Sequence, residues 1–147
     1  MNSAINQHLS QLYKEQSGKV LATLVRLLGD IELAEEAMHE AFSVALESWG
    51  FKGIPANPTP WLISTARFKA IDVLRRNKRF SELETDVQRL ISELEEYNHE
   101  VSKQEIEDDQ LRMIFTCCHP AIDPKIQIPL TLREVCGLST EEIASAY

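Results

Sequence analysis

The stretch Trp61–Arg79, WLISTARFKAIDVLRRNKR, combines apolar residues at helical spacing with much of the chain's positive charge. It holds six of the 15 Lys and Arg residues and one acid, Asp72, although the 147-residue chain has a formal net charge of -8. Thr59 followed by Pro60 is typical of a helix start, because the Thr oxygen can accept a free amide and proline has no amide to satisfy. The pattern therefore predicts an amphipathic helix from about Pro60 to Lys78.

The bases of this predicted helix indicate an anion-binding face. Arg67 and Arg75 fall on one side of the helix, and only Asp72 interrupts the positive charge. An ordinary solvated face would have acids interspersed among its bases, so we interpret the face as phosphate-binding. Its members are Arg67, Lys69, Arg75, Arg76, Lys78 and Arg79.

The remaining sequence also predicts helices. Five glycines and few runs rich in Val, Ile and Thr argue against a sheet. Gly29 is suited to end one helix and Asp30 to cap the next, while Ser139 and Glu142 have the spacing of a capping box. We therefore expect an all-α protein. Its predicted parts are a helical bundle over residues 1–96, an acidic linker over 97–106 and an incomplete helix-turn-helix domain over 107–147.

Charge is distributed unevenly along the chain. Residues 61–80 have a net charge of +5 and residues 81–110 of -9. A basic block followed by an acidic one predicts a positive binding face joined to a solvated connector. The acidic total does not exclude nucleic acid, because charge is screened over about 10 Å at ordinary salt. No apolar run reaches the roughly 18 residues that span a bilayer, and the N-terminus lacks a secretory pattern, so we expect a cytoplasmic protein.

Catalytic and metal-binding patterns have little support. The sequence contains no glycine-rich phosphate loop and no nucleophile elbow, so we expect a binding protein without enzymatic activity or cofactor. Cys117, Cys118 and His119 are residue types that bind zinc. Adjacent cysteines rarely hold one ion tetrahedrally, and no fourth ligand is evident, so we expect a buried helix end and no metal.

Several segments resemble the extracytoplasmic-function sigma factors of bacterial RNA polymerase. GDIELAEEAMHEAFSVALESW (29–49) resembles the core-binding helix, and PWLISTARFKAIDVLRRNKR (60–79) resembles the promoter-melting helix. LREVCGLSTEEIASAY (132–147) resembles the start of the second DNA-binding domain, and DDQLRMIFTCCHPAI (108–122) is similar to the subgroup with a helical C-terminal extension. The resemblance implies a transcription initiation factor that binds polymerase core and directs promoter recognition and melting.

The resemblance also implies a polymerase-binding surface on the second helix. In the family this helix contacts a coiled-coil of the polymerase clamp. The residues at the matching positions are Glu36, His39, Glu40 and Leu46. Two acids and a leucine suit a basic partner with an apolar seam. His39 stands where the family usually has Gln, and an imidazole reproduces only part of an amide's hydrogen bonding.

The loop before Trp61 resembles the specificity loop of the family, which captures a base flipped out of the promoter. The implied DNA-binding residues of the loop are Lys52, Gly53, Ile54 and Asn57. An Asn amide can pair with a base edge, glycine permits close backbone approach, and a Lys ammonium can hold phosphate. The following helix would grip the strand backbone with its bases. Phe68 replaces the Asn common at its position, so it is either a stacking residue or a packed one, and packing is the favoured expectation.

Other readings remain beside this one. The resemblance implies an anti-sigma factor or a C-terminal extension of the same chain as a further partner, and the absent recognition helix after Tyr147 predicts a truncated second domain. The main alternative is a helix-turn-helix repressor that dimerises through the apolar stripe of Leu83–Leu94 and reads duplex DNA. It should concentrate positive charge near its C-terminus, whereas residues 111–147 total -1. An adaptor without a DNA role leaves the basic face unexplained.

Overall fold

The protein is helical throughout the part of the chain that the structure, a computed structural model, describes. That part comprises residues 2–78, 84–97 and 101–146, with side chains described for 4–77, 86–97 and 101–146. The helices are α1 (Asn2–Leu28), α2 (Ile31–Lys52), α3 (Pro58–Lys78), α4 (Glu84–Glu96), α5 (Lys103–Cys117), α6 (Pro124–Glu134) and α7 (Thr140–Ala146). No strand occurs in these residues, so the predicted all-α class is confirmed.

Helices α1, α2 and α3 form the central bundle. Gly29 adopts a φ of 70° and ends α1, and the Asp30 carboxylate accepts two backbone amides of the first turn of α2, as predicted. Alanines form much of the buried face of α2 and let the helices approach closely. These are Ala34, Ala37, Ala41 and Ala45. At the far end, the buried Trp49 ring packs edge-on against Trp61, with 5.1 Å between ring centroids.

The connection between α2 and α3 is short. Residues Gly50–Lys52 continue α2, and α3 begins at Pro58, so the loop is confined to residues 53–57. The prediction that Thr59 caps α3 is wrong: Thr59 lies in the first turn, and its hydroxyl donates to the side chain of Gln16 at 3.0 Å. Prolines are tolerated there because the amides of a first helical turn need no intrahelical partner.

Helix α4 lies along α3. Ile91 and Leu94 are buried in the common core, and Val87 and Leu90 pack against it. The predicted apolar stripe is thus the surface that fixes α4 on the bundle. Its first member, Leu83, lies outside the described residues.

Helix α5 is held on α1 by a buried carboxylate. Asp109 accepts a hydrogen bond from the Thr23 hydroxyl at 2.9 Å and pairs with the Arg26 guanidinium at 2.6 Å. Ahead of this network, Val101 and Ile106 are also buried. Residues 103–106 of the expected linker therefore form the first turn of α5. The assignment of residues 107–147 to a separate domain stays a prediction.

The last two helices are joined by a turn at Gly137, which adopts a φ of 72°. The end of α6 approaches α1 so closely that a Cβ on Gly18 would lie 1.8 Å from the carbonyl oxygen of Val135. The predicted capping box starts α7: the Glu142 amide donates to the Ser139 hydroxyl at 3.1 Å, and the Ser139 amide donates to the Glu142 carboxylate at 3.3 Å.

The cysteine segment ends α5. Cys117 is buried in the core, and burial raises the pKa of its thiol. The ring of His119 accepts the backbone amide of Ala121 at 3.0 Å. In the described ranges, no three His, Cys, Asp or Glu side chains come together as a metal-ligand group. A separate search of the same ranges finds no helix long and apolar enough to span a membrane.

Candidate nucleic-acid interface

The C-terminal half of α3 presents the exposed part of the predicted basic face. Arg75 and Arg76 are exposed and Lys69 is partly exposed. Lys69 and Arg76 line a shallow cavity of about 320 Å³ together with Glu40 of α2 and Asp72. Further along, Lys78 is the last residue of α3 with a side chain that is not described, and Arg79 lies outside the described residues.

Arg75 is engaged by the neighbouring acidic helix. Its guanidinium forms an ion pair with Glu95 of α4. Both side chains are about half exposed, at 57% and 48%. Pairs this exposed contribute about 0–1 kcal/mol, so Arg75 can exchange its partner at little cost.

Arg67 occupies a different environment from the other bases. Only 6% of the residue is exposed, and its guanidinium donates to the backbone carbonyl of Leu94. The carbon of that guanidinium also lies 4.4 Å from the centroid of the Phe68 ring and 5.9 Å from that of Tyr97. Burial lowers the pKa of Arg67. Because the Leu94 carbonyl belongs to the last turn of α4, Arg67 satisfies a helix end that lacks an intrahelical partner.

Phe68 is not the packed residue that was the favoured of its two expected roles. It is 53% exposed, and its described ring contact is the one with Arg67. A large apolar ring on the surface beside a basic helix is available for stacking. The sequence could not separate the two roles, because the position lies at the edge of the apolar stripe.

The loop between α2 and α3 borders a cavity of about 480 Å³. Of the four predicted loop residues, Asn57 lines this cavity, whereas Lys52 ends α2 and Gly53 caps it with a φ of 81°. Ile54 is exposed at 40%. The remaining walls include three planar side chains that suit a planar ligand, Trp61, Arg67 and Tyr97, and also Ser64 and Val101.

Sequence reasoning missed two of these wall residues because they are distant in the chain. Tyr97 follows the end of α4 and Val101 precedes the start of α5, in the segment expected to be an acidic linker. The apolar stripe of α4 could have indicated Tyr97 and Val101, because a helix with such a stripe packs against another helix and brings the residues that follow it close to that helix. Only the structure shows that this helix is α3, which brings Tyr97 over Arg67.

The four predicted polymerase-binding residues all lie exposed on α2. Glu36 and Glu40 are one helical turn apart, and Leu46 is 49% exposed. The His39 ring forms a 3.2 Å hydrogen bond with the Tyr13 hydroxyl of α1 and stacks on its ring. His39 is therefore partly committed to an internal contact, while the other three are available to a partner.

The C-terminal helices approach this surface from one side. Arg133 of α6 pairs with Glu35 of α2 at 3.7 Å. The adjacent Glu134 is buried, and burial together with Glu35 raises its pKa to about 7. Burial and the neighbouring Glu35 carboxylate thus favour the protonated form of Glu134 where α6 meets α2.

Comparison with known proteins gives a family match over the first three helices. Residues 12–80, which span most of α1 and all of α2 and α3, match the model of the family described as Sigma-70 region 2. This part of the chain, which carries the basic helix face, is therefore similar to Sigma-70 region 2.

A curated relative extends the likeness beyond that region. The chain is 37% identical over 133 residues to an uncharacterized protein of Rhizobium meliloti (strain 1021). The similarity covers 88% of this chain and 31% of the relative, so the chain spans about a third of the relative's length. No solved structure matches the chain.

Proposed function

We propose that this protein is a transcription initiation factor of the extracytoplasmic-function sigma type, which binds RNA polymerase core in the cytoplasm and engages single-stranded promoter DNA. The Sigma-70 region 2 match over residues 12–80 carries the proposal, because it indicates a sigma-factor-type role and covers the helices that bear the basic face. The protein acts by binding, and the catalytic step belongs to the polymerase.

The DNA side of the proposal rests on two adjoining surfaces. Arg75, Arg76 and Lys69 supply exposed positive charge for the strand backbone, and Lys78 and Arg79 extend that charge in the sequence. The cavity beside Asn57 has a volume typical of small-ligand sites and aromatic walls that suit a base removed from its stack. Lys52, Gly53 and Ile54 would border the strand outside the cavity, and Arg67 would meet a base through the cavity wall.

The polymerase side rests on α2. Glu36, Glu40 and Leu46 form an exposed acidic surface with one apolar residue, which complements a basic coiled-coil. His39 would take part through whichever ring nitrogen Tyr13 leaves free. Residues 107–147 would supply the start of a second DNA-binding domain, and an anti-sigma factor or a C-terminal extension would be the regulatory partner.

The repressor alternative has less support. It requires the apolar stripe of α4 as a dimer interface, yet Ile91 and Leu94 are already buried against α3. Exposing them would cost about 1.5–3 kcal/mol for each side chain before any dimer contact formed. A repressor that dimerised through α4 would therefore have to detach α4 from α3 first.

Co-purification tests the proposal. The protein should be retained by RNA polymerase core, and the complex should bind a labelled single-stranded promoter oligonucleotide with an affinity that falls as salt rises. Replacing Arg75 and Arg76 with Ala should reduce the slope of log affinity against log salt by about 0.7 for each phosphate that the variant no longer neutralises. Core binding should be retained, because both residues lie on α3 and neither belongs to the proposed polymerase-binding set of α2, although Arg76 lines a cavity with Glu40 of that set.

A matched control removes two positive charges elsewhere. Lys14→Ala with Lys125→Ala changes lysines of α1 and α6 and should leave the salt slope as in the wild type. Absence of core binding would contradict the proposed function as a whole. Equal slopes for the arginine and lysine double variants would contradict the assignment of α3 as the DNA face.

A further inference from the structure

The cavity beside Asn57 adjoins a second cleft of about 510 Å³. Asn57, Pro60 and Val101 line both, so the two form one continuous depression between α1, α3 and α5. The first half contains the rings of Trp61 and Tyr97. The second half has a different composition, so the two halves suit different parts of a ligand.

The second half is a cationic cleft. Lys19 of α1 and Lys103, the first residue of α5, both line it, and Gln16, Thr59 and Ser102 add polar groups. Glu107 is the one acid among the described residues of its wall. Within the residues that the structure describes, neither lysine forms an ion pair with a carboxylate. Two ammonium groups from different helices thus face one cleft without internal neutralisation.

We propose that Lys19 and Lys103 bind the phosphate next to a base held in the aromatic half of the depression. The inference rests on the proposed function and deepens it by adding a phosphate site. A nucleotide has a planar ring beside an anionic phosphate, and the depression has an aromatic half beside a cationic half. Lys103 lies outside the family match over residues 12–80, so that match does not assign it.

The packing of α5 on α1 determines where Lys103 lies in this site. Lys103 begins α5, and Asp109 six residues later is fixed on α1 by Thr23 and Arg26. The network that holds α5 therefore also sets the position of the lysine opposite Lys19. The segment that was expected to be an acidic linker therefore supplies a lysine, Lys103, to the proposed phosphate site.

The test measures how single-stranded DNA binding depends on salt. The probe is a labelled oligonucleotide of about 12 nucleotides, within the usual range of site sizes for single strands. It is added to the protein in complex with polymerase core. The variants are Lys19→Gln, Lys103→Gln and the double variant, with Lys14→Gln as a control on the same helix as Lys19. Charge-conserving Lys19→Arg and Lys103→Arg variants check that any decrease reflects charge and not packing.

The double Gln variant should lower the slope of log affinity against log salt by about 0.7, the value for one neutralised phosphate on a single strand. Each single variant should give part of that decrease, and the Arg variants should restore the wild-type slope. With an oligonucleotide whose linkages are neutral methylphosphonates, wild type and double variant should bind alike.

Two results would overturn the site. One is a double Gln variant with the wild-type slope, and the other is a Lys14→Gln variant whose slope falls as far as that of the double variant. If Arg75→Ala with Arg76→Ala lowers the slope while the lysine variants do not, the phosphate site fails and the proposed function stands. If wild-type complex binds no single-stranded DNA, both fail together.

Discussion

Helices α5 and α4 are each tied to the bundle by arginine and carboxylate, but in opposite environments. On the α1 side, the Asp109 side chain is 2% exposed and accepts Arg26, Thr23 and Arg112. On the α3 side, the Arg75–Glu95 pair is about half exposed. Water screens the exposed pair and has been removed from the carboxylate of the buried one. The same chemical pairing therefore fixes α5 firmly and contributes little to holding α4.

The difference bears on the proposed function. Under that proposal, the α1 side keeps Lys103 and Val101 in place beside the cleft that both line, and a buried network suits that role. Under the same proposal, the α3 side releases Arg75 to a phosphate, and a surface ion pair allows that exchange. The buried Asp109 network therefore has a structural role, whereas the exposed Arg75–Glu95 pair belongs to the proposed DNA-binding surface.

The largest effect is expected at the buried carboxylate. Asp109→Ala would leave the Thr23 hydroxyl and part of Arg26 without their partner in the interior. Removing one member of a buried charged network costs about 3–5 kcal/mol. Since Arg26 keeps Glu105 at 3.6 Å and is partly exposed, we expect about 3 kcal/mol. Urea unfolding followed by circular dichroism measures the free energy of unfolding.

Asp108→Ala is the matched control for this change. Asp108 is the neighbouring carboxylate, exposed on α5 and bonded to Gln104 of its own helix at 2.9 Å. Its replacement should change stability by no more than about 0.5 kcal/mol. If the two variants were equally stable, Asp109 would not be the residue that fixes α5.

The next effect concerns pH and the contact of α6 with α2. The pKa of Glu134 is raised from 4.5 to about 7 by burial and by Glu35. A raised pKa in the folded state means that protonated Glu134 stabilises the fold fully below about pH 4.5. This contribution is lost as pH rises through about 7, and at one pKa unit per 1.36 kcal/mol it is at most about 3 kcal/mol.

Glu134→Gln should remove this pH dependence. The neutral amide can still donate to Glu35, so the variant should match the wild type near pH 4 and exceed its free energy of unfolding at about pH 8. Glu141→Gln, an exposed change on α7, should follow the wild-type curve throughout. A constant difference between Glu134→Gln and wild type across this range would show that Glu134 carries its proton equally in both states.

Local patterns predicted much of the fold. The caps at Asp30 and Ser139 and the turn at Gly29 depend on neighbouring residues, and these predictions are confirmed. The start of α3 was misplaced: the helix begins at Pro58, and the Thr59 hydroxyl donates to Gln16, which is distant in sequence, instead of capping the helix. The burial of Val101 and Ile106 was also missed, because the acidic residues around Ile106 indicated a solvated linker.

The candidate site was less predictable than the fold. Exposed bases such as Arg75 and Arg76 could be recognised from composition and helical spacing alone. Tyr97, Val101 and Lys103 could not, because their place beside the loop depends on how α4 and α5 pack. Arg67 shows the same limit: its residue type indicated a phosphate contact, whereas its position under α4 gives it a buried internal partner.

The smallest of these effects tests that position of Arg67 and completes the comparison on the α3 side. Arg67→Ala removes a charged donor from the Leu94 carbonyl, a type of bond that contributes about 1.5–3 kcal/mol. We expect the free energy of unfolding to fall by about 2 kcal/mol and the DNA salt slope to change less than for Arg75 and Arg76 together. Glu95→Gln breaks the exposed pair on the same two helices and should cost less than about 1 kcal/mol. If Arg67→Ala and Glu95→Gln lowered the free energy of unfolding equally, burial would not distinguish the contributions of the two contacts that hold α4 on α3. A large slope change with unaltered stability would instead assign Arg67 to the DNA strand directly.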